Sequence, residues 1–173
     1  MRKNSLKTWL FRIFFTLASI GILCFIFGNS IAPADKSSAD SSKVTDAVQS
    51  VARFFAPNSF IATAVGEDYK KLMAWIRTGA HFAEFALMGA LFIWCCFSYT
   101  KRWYAFLVPI LLILYVPLVD ECIQLFSVGR AGEVADAIVD TLGGLAGAVF
   151  AGLTIGVTVW IASARRKKRR GKV

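Results

Sequence analysis

Four apolar runs, at about residues 9–28, 78–98, 103–120 and 135–161, set the first limit on what this chain can become. Each is close to the roughly 20 residues that a helix needs to cross a hydrocarbon layer about 30 Å thick. Inside lipid a backbone has no water to bond, so a spanning segment must satisfy its own hydrogen bonds. Continuous runs of this length do so as helices. The predicted class is therefore all-α: an integral membrane four-helix bundle with a short external amphipathic helix, in one domain over residues 1–173. A hydrophobic content of 57% agrees with lipid, rather than a buried core, as the solvent for much of the surface.

Charge is distributed unevenly along these runs. The net charge is +9, from 20 basic and 11 acidic residues. No acid precedes Asp35, none follows Asp140, and none lies between 85 and 119. Basic residues cluster where acids are missing: Arg2, Lys3, Lys7 and Arg12; Lys101 and Arg102; and the tail over 165–173. By the positive-inside rule these clusters are cytoplasmic, with both termini inside a multi-pass cell-membrane protein. The tail then lies against anionic lipid. Because it follows directly on an apolar span, membrane lipids rather than nucleic acid are its expected partner.

The first run could be read as a signal peptide cleaved near Ser30-Ile31-Ala32. Its apolar stretch, Trp9 to Phe27, is longer than a usual signal core, which favours a retained first helix. Residues 29–43 show no period and read as an external loop. From Val44 onward, Val44, Ala47, Val48, Val51, Phe54 and Phe55 share one helical face. This predicts a short amphipathic helix that lies on the outer leaflet or caps the bundle. Gly66-Glu67-Asp68 is a helix start, and that helix is expected to continue into the second span. Cys24, Cys95 and Cys96 lie in apolar runs and act as small hydrophobes. Cys122 is a poor nucleophile, because Asp120 and Glu121 disfavour its thiolate.

Polar residues converge at the external ends of three spans. Arg77, His81 and Glu84 share one helical face, and Asp120, Glu121 and Gln124 occupy one arc. Glu133, Asp136, Asp140, Gly143, Gly147, Ala151, Thr154 and Thr158 form one stripe, and Gly143-x-x-x-Gly147 permits close helix approach. Ionisable groups at this depth are costly unless paired, which marks them as a candidate site. His81, Glu84, Asp120, Glu121, Gln124 and Asp136 are the candidate catalytic residues, as proton carriers. Arg77, Arg130 and Asp140 are the candidate substrate-binding residues. No cofactor is specified by the sequence. A divalent metal is compatible with it, with His81, Glu84, Asp120, Glu121 and Asp136 as candidate ligands. The opposing reading makes the same acids structural ion pairs with Arg77 or Arg130. In the very short turn at 127–132, Arg130 is expected to fold back into a bidentate pair with a neighbouring carboxylate.

Three blocks carry a family resemblance. They are Arg77-x-x-x-His81-Phe82-x-Glu84-Phe85, Asp120-Glu121-x-x-Gln124-x-Phe126-x-x-Gly129-Arg130, and Asp136-x-x-x-Asp140-x-x-Gly143-x-x-x-Gly147. Together with Asn29-Ser30, they resemble the VanZ-like family over about residues 10–160. The chain departs from the usual pattern at Asp140, where asparagine is common, at Arg77, where lysine is common, and at Phe85, where tyrosine is common. The resemblance implies a small bacterial cell-envelope protein, and the family's namesake is associated with resistance to the glycopeptide teicoplanin. Two functions follow as expectations. The first is lowered susceptibility to lipophilic glycopeptides, or modification of an anionic lipid or lipid-linked envelope precursor. The second is non-catalytic binding of a lipid, a lipopeptide or a partner protein. A small transporter ranks third, since the chain has no internal repeat.

The charge pattern yields a topology test. In a background without the four native cysteines, a cysteine placed at position 170 should resist an impermeant thiol reagent in intact cells. Ready labelling there would reverse the orientation.

Overall fold

The computed structural model describes residues 6–170, with side chains through Lys168; Arg2, Lys3 and Lys172 of the basic clusters lie outside it. Six helices follow one another: α1 Leu6–Ile31, α2 Ala34–Phe55, α3 Phe60–Thr63, α4 Glu67–Tyr99, α5 Tyr104–Leu125 and α6 Val134–Arg170. No strand occurs among the described residues. Helices α1, α4, α5 and α6 are long and apolar enough to cross a membrane, as the four runs predict. Their outward faces are hydrocarbon, including Phe14 and Leu17 on α1, Leu111 and Leu118 on α5, and Val149 and Leu153 on α6. Such surfaces need lipid around them.

The helices run further than the apolar runs. At 1.5 Å per residue α4 is about 50 Å long and α6 about 55 Å. Helix α4 begins at Glu67, as its glycine-acid start predicts, and α6 carries the basic tail as helix through Arg170. Helix α5 continues past Val119 to Leu125, so Asp120, Glu121 and Gln124 belong to its last turns. Pro109 and Pro117 are buried inside α5, where each leaves a carbonyl of the preceding turn without its usual donor.

Helix α4 is the centre of the bundle. Its most extensive partner is α6, and it also packs on α1 and α5. The closeness of α4 and α6 comes from glycine. A Cβ at Gly147 would overlap the backbone carbonyl of Ala86, and one at Gly143 would overlap that of Phe82. Gly89 on α4 stands in the same relation to the carbonyl of Gly144. In lipid there is little hydrophobic drive between helices, so such backbone-to-backbone packing is what holds them. The small-residue stripe on α6 thus faces into the bundle through Ala151, while Thr158 at its far end is exposed. Phe85, Met88, Ile93, Ile113 and Ile26 complete the core.

One segment differs from the sequence reading. Residues 34–43 are not a loop but the first part of α2. They lack an apolar period because polar and tertiary contacts hold them instead. Pro33 occupies the N-cap, Asp35 lies in the first turn, and Lys43 pairs with Asp40 at 2.9 Å. The amide of Ala34 bonds the carbonyl of Val128 at 3.1 Å, tying the helix start to the α5–α6 turn. The orientation of α2 corrects the capping alternative. Its buried residues are Thr45 and Gln49, and Gln49 Nε2 donates to the carbonyls of Ile61 and Ala64 at 3.0 and 2.9 Å. Tyr69 reaches across from α4 to Asp46 at 2.8 Å. The apolar face points away from the protein, with Phe54 and Phe55 81% and 79% exposed. That face does not close the bundle.

The glycine contacts lead to a stability test. Gly147→Ala should lower Tm in detergent by several degrees, since overpacking costs about 1–3 kcal/mol. Gly156→Ala, on the same helix with open space around it, should be neutral. Equal Tm values for the two variants would remove the close approach as a stabilising contact.

Candidate functional site

The acid-bearing end of the bundle is assembled by four elements. Helix α1 ends there in Asn29 and Ser30; α4 contributes Arg77, His81 and Glu84; α5 contributes Asp120, Glu121 and Gln124; and α6 begins there with Asp136 and Asp140. Because α6 is drawn against α4 by its glycines, Asp140 is set beside His81, with Nδ1 3.6 Å from Oδ1.

Asp120, Glu121, Gln124 and Asp140 are all buried. Asp120 accepts from the Ser30 hydroxyl and, at 2.9 Å, from Gln124 Nε2. Glu121 accepts from the backbone amide of Glu133 at 2.7 Å and from Gln124 at 3.4 Å. Glu133 itself precedes α6, and its carbonyl accepts from the amide of Asp136 at 2.9 Å. The Ser127 hydroxyl donates to the carbonyl of Ser30 at 2.7 Å, so the turn closes over the end of α1. Glu84 is half-buried on α4. Cys122 is exposed on α5 and bears on none of these groups.

Two expectations fail here. Arg130 does not fold back onto a carboxylate: no described acid lies within ion-pair distance of it, nor of Arg77, so the expected arginine ion pairs do not form. The Nε and Nη1 atoms of Arg130 are instead buried without a hydrogen-bond partner. The turn sets this direction: Arg130 N bonds Ser127 O at 3.2 Å, and Gly129 takes a positive φ of 74°. Burial, with Arg77 nearby, lowers the guanidinium's pKa from its ordinary value. The metal-ligand set also changes. Asp120, Glu121 and Asp140 bring one oxygen each within 4.8 Å of one another. His81, Glu84 and Asp136 lie outside that group, because helix packing puts Asp140 beneath His81 and directs Asp136 outward. An all-oxygen set of this kind suits a hard divalent cation.

A cavity of about 490 Å³ opens at this end. Arg77, Arg130, Glu133 and Asp136 line one side, and Ser37, Ser38 and Ser41 of α2 line the other. A second void of about 10 Å³, room for about one water, adjoins Arg77, His81, Asp136 and Asp140. Of the sequence-derived residues, Arg77, Arg130 and Asp136 therefore meet at the open cavity. His81 and Asp140 border the small void, and Asp120, Glu121 and Gln124 lie deeper. The serines escaped notice because their segment reads as a loop. Their signal is the i, i+4 spacing of Ser37 and Ser41 just after Pro33.

Four apolar helices around a buried polar cluster, with a cavity at one end, define a polytopic α-helical membrane protein. The family model described as VanZ/LLP1 matches residues 15–155, and the chain belongs to that family. No curated protein and no solved structure shows a match to it.

Asp140 generates the site's test. It is fully buried, and neither of its carboxylate oxygens has a hydrogen-bond partner. A buried unsatisfied polar group costs about 1–3 kcal/mol, and a charge costs more. Asp140→Asn removes the charge at nearly constant shape and should raise Tm by a few degrees in EDTA. A lower Tm would show that the carboxylate is balanced by a counter-charge.

Proposed function

We propose that this VanZ-family membrane protein binds the anionic head group of a lipid or lipid-linked envelope precursor in the 490 Å³ cavity at its acid-bearing end. The observation that carries this reading is the state of Arg130. A guanidinium surrounded by acids, yet with Nε and Nη1 buried and unpartnered, is ready for an anion from outside. Arg77 adds a second positive charge at the same cavity, and the hydroxyls of Ser37, Ser38 and Ser41 supply further donors. The basic clusters at the other end support an external placement of this one.

In the catalytic version, Asp136 is the acid that a bound head group meets first. His81 and Asp140 sit behind it and are suited to carry a proton to or from the cavity. Asp120, Glu121 and Gln124 position the end of α1 and the start of α6. A family member that alters an exposed lipid or precursor in this way would change how lipophilic glycopeptides such as teicoplanin engage the envelope. The second reading is binding without chemistry, and the mutual bonding of Asp120, Gln124, Glu121 and the Glu133 amide favours it. In either reading, a divalent cation at Asp120, Glu121 and Asp140 would neutralise charge in a low dielectric.

Capture of lipids from a membrane extract, read by mass spectrometry, tests the proposal. Wild-type protein should retain an anionic species that Arg130→Ala loses and that Arg130→Lys retains poorly, because lysine lacks the planar fork. Asp136→Ala should keep the lipid but lose any turnover. Equal recovery from wild type and Arg130→Ala would remove the cavity from the function.

A further inference from the structure

The opposite end of the bundle has a cleft of its own. Helix α1 packs on α4 and α5, and α6 packs on α4 and α5, but α1 and α6 do not form a packed pair. Between them, over α4, lies a space of about 820 Å³. Phe11 and Phe15 of α1, Trp94 and Phe97 of α4, and Ile155 and Val159 of α6 line it. Its floor is fixed: the rings of Phe15 and Trp94 lie 5.7 Å apart, and Trp94 Nε1 donates to Thr154 Oγ1 at 3.1 Å.

The mouth of the cleft is cationic. Lys7, Arg12 and Lys101 stand at it. Arg12 is held in place by a bond from Nε to the carbonyl of Ser98 at 3.1 Å, and its guanidinium lies 5.0 Å from the ring of Tyr99. Lys101 lies over the ring of Phe97 at 3.3 Å. None of the three forms an ion pair with a described carboxylate. The sequence offers none nearby, since residues 1–34, 85–119 and 141–173 contain no acid. Beyond the cleft, α6 continues into exposed Arg165, Arg166, Lys167 and Lys168.

We infer that this cleft binds an anionic phospholipid of the surrounding membrane. Its acyl chains lie along the aromatic and aliphatic walls, and its phosphate is held by Lys7, Arg12 and Lys101. Apolar walls beneath a cationic rim match the two ends of such a molecule, and basic pockets between transmembrane helices recognise phospholipid head groups. A second copy of the chain is the poorer occupant. A two-fold contact at this face would bring two basic rims together with no acid to separate them. The site is independent of the head-group cavity at the other end.

The test uses the full-length protein in a neutral detergent. Unfolding temperature and native mass spectra are recorded against phosphatidylglycerol and phosphatidylcholine with the same acyl chains. Phosphatidylglycerol should raise Tm saturably and appear as a discrete adduct, and phosphatidylcholine should do neither. Lys7→Gln/Lys101→Gln should bind about 30-fold more weakly, as loss of two head-group charges implies. Lys101 also donates to the carbonyl of Phe97 at 2.5 Å, so the lipid-free Tm of the pair reports whether folding is intact. If it unfolds, Arg12→Lys, which keeps the charge, should retain most of the lipid-induced shift. Equal shifts from both lipids, an undiminished shift in the double variant, or a dimer whose formation excludes lipid would each overturn the proposal.

Discussion

The backbone contact between α4 and α6 is the feature on which the rest of the structure depends. Gly143 and Gly147 let α6 approach the carbonyls of Phe82 and Ala86, and Gly89 lets α4 approach Gly144 in return. Lipid provides little hydrophobic force to press two apolar helices together, so the energy must come from many short-range contacts at small separation. Fixing those helices also fixes their polar ends. His81 meets Asp140 one turn from Gly143, and Arg77 and Asp136 come to the lining of one cavity.

This packing leaves an electrostatic imbalance. Asp120, Glu121 and Asp140 are buried close together, while Arg77 and Arg130 form no ion pair with any described acid. Hydrogen bonds from Ser30, Gln124 and the Glu133 amide stabilise Asp120 and Glu121, and those bonds also join α1, α5 and the start of α6. Asp140 accepts no hydrogen bond, and among the described residues His81 is the one cationic side chain within ion-pair distance of it. The head-group binding proposed above rests on this arrangement, in which acids and arginines share one small region without pairing. An anion would meet the arginines, and a proton or cation would meet the deeper carboxylates.

The two ends of the molecule solve different problems. At the acid-bearing end α2 packs on α3 and α4 with a polar side inward, through Thr45, Gln49 and the bond of Asp46 to Tyr69, and its apolar side outward. That inversion of the usual amphipathic arrangement is stable where the outside is lipid rather than water. At the basic end no described helix fills the space between α1 and α6, and the charges at its rim pair with no described acid.

The number of spans, the inward small-residue stripe through Ala151 and the convergence of Arg77, Asp136 and Arg130 were legible in the sequence. Each depends on length, on period or on which ends of consecutive spans meet, and those are one-dimensional properties. The helix over residues 34–43 was not legible, because a capping proline, one surface ion pair and a bond to Val128 leave no apolar pattern. Nor was the partner of each ionisable group. Spacing placed Asp136 and Asp140 on one stripe, but only packing decided that Asp140 would be buried against His81 and Asp136 would face the cavity. Arg130 shows the same limit. Its sequence neighbours suggested an ion pair, but the turn at Gly129 leaves its guanidinium without an ion-pair partner among the described acids, a placement that only the assembled backbone fixes.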